Sequence, residues 1–144
     1  MTNSSRHSSL PESLPDRATP GELVRAFHRA FGLPVRAAPT AALTAEEHAL
    51  RQRLLDEEVE ELRAAVAEGD IVEIADALAD IVYIAFGTAH VYGIDLDAVL
   101  AEVHASNMTK LGSDGRPVRR VDGKVLKGPG YRPPDVAGIL RLDR

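Results

Sequence analysis

The segment that decides the fold is Arg53-Leu-Leu-Asp-Glu-Glu-Val-Glu-Glu-Leu62. It sets five carboxylates among four aliphatic side chains. A helix turns about 100° per residue, so each side chain can be assigned to a face. With Leu50 at zero, Leu54, Ala65, Leu62, Leu55, Val66 and Val59 occupy an arc from about 40° to about 180°. Glu58 falls near 80° and Glu61 near 20°, within or against that arc, and Glu57 stands at its rim near 340°. Asp56 and Glu60 lie outside it and read as ordinary solvated charges. Acids thus interrupt the face that the helix should bury.

Capping signals place this segment within a chain of helices. Thr19-Pro20-Gly21-Glu22 and Thr44-Ala45-Glu46-Glu47 read as capping boxes, the first with Pro at the opening helical position. The first helix should end at Gly32 and the second near Gly69. Asp70-Ile71-Val72-Glu73 reads as a third box, and its helix should stop at Gly93. Asp95 caps a fourth helix, to about Met108. Only about two residues separate the second and third helices, so they should pack as an antiparallel hairpin. Asp114-Gly115 and Asp122-Gly123 mark turns between short β-prone pieces, and Pro133-Pro134-Asp135 should start a short last helix, VAGILRL. The expected class is all-α: a helical hairpin that forms a four-helix-bundle core by dimerisation, with an irregular basic C-terminal tail. Residues 1–18, rich in Ser and Pro, should be a disordered tail, and residues 19–144 one domain.

The third helix carries its own acidic stripe. Glu73, Asp76 and Asp80 fall within about 60° of one another, with Tyr83 and Gly87 continuing the line. Aliphatic residues cover most of the remaining surface, so this helix should be buried. Buried carboxylates repel one another and take up protons unless something polar meets them. Water, basic side chains or divalent cations could do so. The hairpin offers only Arg51, Arg53 and Arg63, with Arg51 alone near the acidic arc. Carboxylates on facing helices are a known way to hold metals in bundles, and an all-oxygen set suits Mg²⁺ or Mn²⁺.

Composition sets outer limits. The chain has 144 residues, a net charge of −5 and no cysteine, which excludes disulfide scaffolds and thiolate metal sites. The most apolar stretch, residues 81–94, is too short to span a bilayer. Lys110 to Arg132 holds seven Lys or Arg against two Asp, without the aromatic interleaving of single-strand nucleic-acid binders. The expectation is a cytoplasmic protein with no nucleic-acid or membrane partner. The scattered histidines His28, His48, His90 and His104 read as structural or surface residues. Phe27 and Phe31 are one turn apart and read either as core or, with His28, as contacts for a base.

Glu58-Val-Glu-Glu61 followed by Asp76-Ala-Leu-Ala-Asp80 resembles the all-α NTP pyrophosphohydrolases, the MazG-like and phosphoribosyl-ATP-pyrophosphohydrolase-like proteins related to dimeric dUTPases. FHRAFG (27–32), SNMTK (106–110) and DGKVLKGPGYRPPD (122–135) extend the resemblance over about residues 20–140. One position departs: the family pattern has Glu where this chain has Ala77. Glu73 and Asp76 both lie on the Asp80 face, and Asp76, one turn away, is taken as the replacement. The resemblance then implies Glu58, Glu61, Asp76 and Asp80 as ligands of Mg²⁺, with Mn²⁺ as a substitute. Glu57 or Glu61 would activate water beside Glu58. Asn107, Lys110, Lys124, Lys127 and Tyr131 would hold the substrate, with Lys and Asn as donors to phosphate oxygens. The implied reaction is hydrolysis of a nucleoside triphosphate, taken to be a dNTP, to monophosphate and pyrophosphate. A homodimer or a dimer of dimers is implied as the assembly. Phosphoribosyl-ATP is the alternative substrate, and a non-catalytic nucleotide-binding helical dimer the alternative outside enzymology.

Overall fold

A computed structural model describes residues 16–142. Most of the N-terminal segment expected to be disordered, residues 1–15, lies outside the described residues. The described chain forms α1 (Pro20–Ala30), α2 (Ala45–Glu68), α3 (Ile71–Tyr92), α4 (Leu96–Met108) and α5 (Val136–Ile139).

The caps explain the boundaries. Thr19 and Glu22 close one reciprocal box and Thr44 and Glu47 another. The third is only half formed. Asp70 accepts from the N–H groups of Val72 and Glu73, but its own N–H donates to the Ala65 carbonyl and so closes the end of α2. One residue thus ends one helix and starts the next, which is why the connection needs only Gly69 and Asp70. Gly69 and Gly93 both adopt positive φ at helix ends. A side chain at Gly93 would also strike the carbonyl of Ala38.

α2 packs antiparallel on α3, as the short connection requires. α1 lies across another side of α3, and α4 touches α1. Val24, Ala65, Ala77, Phe86, Ala89 and Val91 form the small core. Much apolar surface stays open in the single chain: Ile71 is 73% exposed, Val66 59%, Leu78 49% and Val82 49%.

After α4 the chain makes two tight turns, marked by isolated antiparallel bridges Leu111–Pro117 and Arg119–Val125 rather than by strands. The β-prone pieces are too short and too charged to build a ladder. The last helix is one turn long, shorter than the seven-residue segment suggested, because Arg141 turns to positive φ. α4 ties the tail down at one point. Ser106 Oγ donates to the Arg132 carbonyl, Arg132 N–H donates to Thr109 Oγ1, and Glu102 accepts from Arg132 and from the Asp135 N–H. Gly128 N–H donates to the Lys110 carbonyl, so residues 111–131 form a loop closed at its base.

The bond from Arg132, helped by the Asp135 N–H, holds the Glu102 carboxyl below its ordinary range. A depressed carboxylate stabilises above its unfolded value, and the contribution is lost as pH falls through the lowered one. Amide protection at Gly128 and Arg132 should therefore persist at neutral pH and fall on acidification. Glu102→Gln should lower it already at neutral pH in hydrogen exchange; unchanged protection would show that the tail is held elsewhere.

Candidate active site on the acidic hairpin

The face of α2 turned toward α3 carries Arg51, Leu54, Glu58, Leu62 and Ala65, spaced at three, four, four and three residues. Glu58 is half-buried, and its Oε2 is a buried oxygen with no hydrogen-bond partner among the described residues. Burial pushes its pKa above the ordinary carboxylate value; the charges of Glu61 and Asp80, a hydrogen bond to Glu61 and the charge of Glu57 raise it further. The hairpin therefore brings Glu58 of α2 into the electrostatic reach of Asp80 of α3, with Glu57 and Glu61 acting on it from its own helix. No basic side chain is among the groups that act on Glu58, so nothing positive offsets these like charges.

The other predicted groups fall elsewhere. Asp76 and Glu73 are exposed on α3, and neither is among the groups that raise Glu58. Ala77, where the resembled pattern has Glu, is 4% exposed and belongs to the core. Among the described residues no three acids or histidines converge closely enough to hold a cation as they stand. The donor set nonetheless fits a hard cation. It is all oxygen, it is negatively charged, and it includes a desolvated carboxylate oxygen with no donor to meet it. Glu57 and Glu61 are exposed and can turn without disturbing the core.

The predicted substrate groups lie on the last turn of α4 and along the tail. Asn107 is exposed on the last turn of α4, and Lys110 follows it. Lys127 Nζ lies 4.6 Å from the centre of the Tyr131 ring, a cation–π contact that preorganises both. Lys124 is exposed beside the Asp122 turn, with its N–H bonded to Asp122. Among the described residues no hydrogen bond or ion pair joins this tail to α2 or α3. Its own bonds run to the end of α4 instead.

Beside the acids lies an aromatic group. Tyr83, three residues after Asp80, meets Phe27 edge-on at 5.6 Å, and Phe27 stacks on Phe31 at 4.4 Å. Phe31 is 69% exposed, so this cluster is surface rather than core. His28 and His90 are buried, as structural residues should be. His28 Nδ1 bonds the Pro34 carbonyl and His90 Nε2 the Gly21 carbonyl. What sequence reasoning missed is how deeply Arg51 is buried. Its signal was a guanidinium on an apolar arc, and it emerges as a cross-link between α2 and α3.

Residues 24–107 match the family model described as phosphoribosyl-ATP pyrophosphohydrolase. The match takes in α2, α3 and both groups of acids. An uncharacterized protein of Acanthamoeba polyphaga mimivirus is 39% identical over 85 residues, which is 57% of this chain. The chain spans about a third (34%) of the length of that relative. No helix among the described residues is long and apolar enough to cross a membrane.

Proposed function

The chain belongs to the phosphoribosyl-ATP pyrophosphohydrolase family, and on that premise we propose that it hydrolyses a nucleoside triphosphate, a dNTP by preference, between the α- and β-phosphates. Water adds across the bridging P–O bond, and the products are a nucleoside monophosphate and pyrophosphate. The observation that carries this reading is the orphaned, desolvated Oε2 of Glu58 inside a cluster of like charges. Such a cluster is costly unless a cation joins it. Glu58, Glu61 and Asp80 would hold Mg²⁺ or Mn²⁺, with Asp76 reaching in from the neighbouring turn. The bound ion supplies charge neutralisation on the phosphates and a more acidic water. Glu57, at the rim, or Glu61 would accept a proton from the attacking water.

The remaining charge must be met by the tail: Asn107, Lys110, Lys124 and Lys127 donate to phosphate oxygens. The working unit in this reading is a homodimer, in which one chain's tail serves its partner's acids. The open apolar face of α2 and α3 supports the same assembly. Tyr83, one turn from Asp80, with Phe27 against it and Phe31 beyond, offers a stacking platform for the base.

A panel of canonical and damaged nucleoside triphosphates, with phosphoribosyl-ATP as one member, tests the reading. Monophosphate and pyrophosphate should appear only with Mg²⁺ or Mn²⁺. Orthophosphate instead would overturn the bond assignment. Turnover of phosphoribosyl-ATP alone would move the protein to the substrate its family is named for.

A further inference from the structure

Arg51 is nine-tenths buried at the α2–α3 contact, and its partners are neutral. Nε donates to Thr88 Oγ1 at 3.0 Å and Nη2 to the Ile84 carbonyl at 3.0 Å. Burial is the cause that lowers its pKa, with no carboxylate opposing it. A buried guanidinium without an acid is a poor way to stabilise a hairpin, since a methionine of similar volume would avoid the desolvation cost. The fold nonetheless makes room for it. Position 87 is glycine in mid-helix, where alanine would favour the helix more. A Cβ there would sit 2.6 Å from Arg51 Nη2 and 2.8 Å from His28 Nε2.

The clamp's position explains the expense. The connection at Gly69 and Asp70 fixes one end of the hairpin. Among the described residues, polar cross-links between α2 and α3 occur only toward the other end, from Arg51 and from the His48–Tyr92 pair. Glu58 and Asp80 lie between these two fixed points, and their mutual repulsion works to part the helices. Resting on the function proposed above, we propose that Arg51 is a positioning residue. It clamps α2 to α3 across the Gly87 notch and holds Glu58 and Asp80 together against their repulsion, ready for a cation. It touches neither substrate nor metal.

The test uses Arg51→Met, Arg51→Lys and Gly87→Ala in the full chain, first checked for helicity by circular dichroism. Mn²⁺ binding is read by calorimetry, and kcat and KM by pyrophosphate release. Arg51→Met should keep its helices, bind Mn²⁺ about ten-fold more weakly and lose about ten-fold in kcat with KM little changed, the ten-fold corresponding to about 1.4 kcal/mol. Arg51→Lys should recover part of the loss, and Gly87→Ala, which displaces the guanidinium, should reproduce it. The chain has no cysteine, so spin labels at introduced cysteines Arg53→Cys and Val72→Cys report the hairpin directly. Their distance distribution should broaden in Arg51→Met. Wild-type Mn²⁺ binding and turnover in Arg51→Met overturn the clamp. If the wild type neither binds metal nor turns over, the proposed function fails, and an unbroadened distribution in Arg51→Met then overturns the clamp independently.

Discussion

Glu58→Gln should abolish turnover and leave the metal-free protein more stable to heat. The two effects share one cause. Glu58 is the acid the hairpin desolvates, with its Oε2 buried and unpartnered and its pKa raised by burial and then by Glu61, Asp80 and Glu57. Glutamine keeps the shape and removes the charge, so the like-charge penalty disappears and the melting temperature should rise by a few degrees. The same change removes a central ligand of the proposed cation site. Losing one preorganised electrostatic contact costs about 10²–10³-fold in kcat, and loss of the ion itself would cost more. Asp80→Asn, facing it from α3, should behave alike. Glu60→Gln should do neither, since Glu60 is exposed and paired with Arg63. Differential scanning calorimetry and a pyrophosphate assay on the three variants decide it. Full turnover in Glu58→Gln would place the chemistry elsewhere, and a lower melting temperature would mean that the carboxylate has a partner after all.

Leu78→Arg should split the proposed dimer and silence it. Leu78 is 49% exposed in the single chain, on the open face of α3 that includes Ile71 and Val82. With Val24, Ala79 and Phe86 it also lines an apolar cleft of about 430 Å³ between α1 and α3. So large an apolar surface on a small chain marks an association face. A guanidinium buried there, twice per dimer, would cost several kcal/mol, which is several decades in dissociation constant. Sedimentation should show a single dimeric species for the wild type and a monomer, or a partly unfolded chain, for the variant. Activity should fall with it, because the tail's cations would no longer reach a partner's acids. A variant that stays dimeric and active would show that the chains meet on another face.

The helices were legible because their ends are written locally. Thr19, Thr44, Asp70 and Asp95 satisfy the first N–H groups of their own helices, and Gly69 and Gly93 take the backbone shape that stops them. Such caps depend on neighbours three or four residues away, so a linear reading finds them. The reading erred where one backbone group had two possible partners. The Asp70 N–H could close a box with Glu73 or finish α2 through Ala65, and a two-residue connection favours the second.

The acid pattern was legible for the same local reason. Helical periodicity places Glu58 and Glu61 against the apolar arc of α2 and Asp80 on the stripe of α3, without reference to anything distant. Which of those acids lose water, and which charges reach one another, depends on how two helices meet. Only the tertiary structure decided that Glu58 is the desolvated member and that Asp76 stays exposed while Ala77 is buried. It also decided that Arg51, ambiguous on a helical wheel, spans from α2 to Thr88 and Ile84 through a gap left by Gly87. Desolvation and long-range hydrogen bonds are properties of packed surfaces, and a single strand of sequence has none.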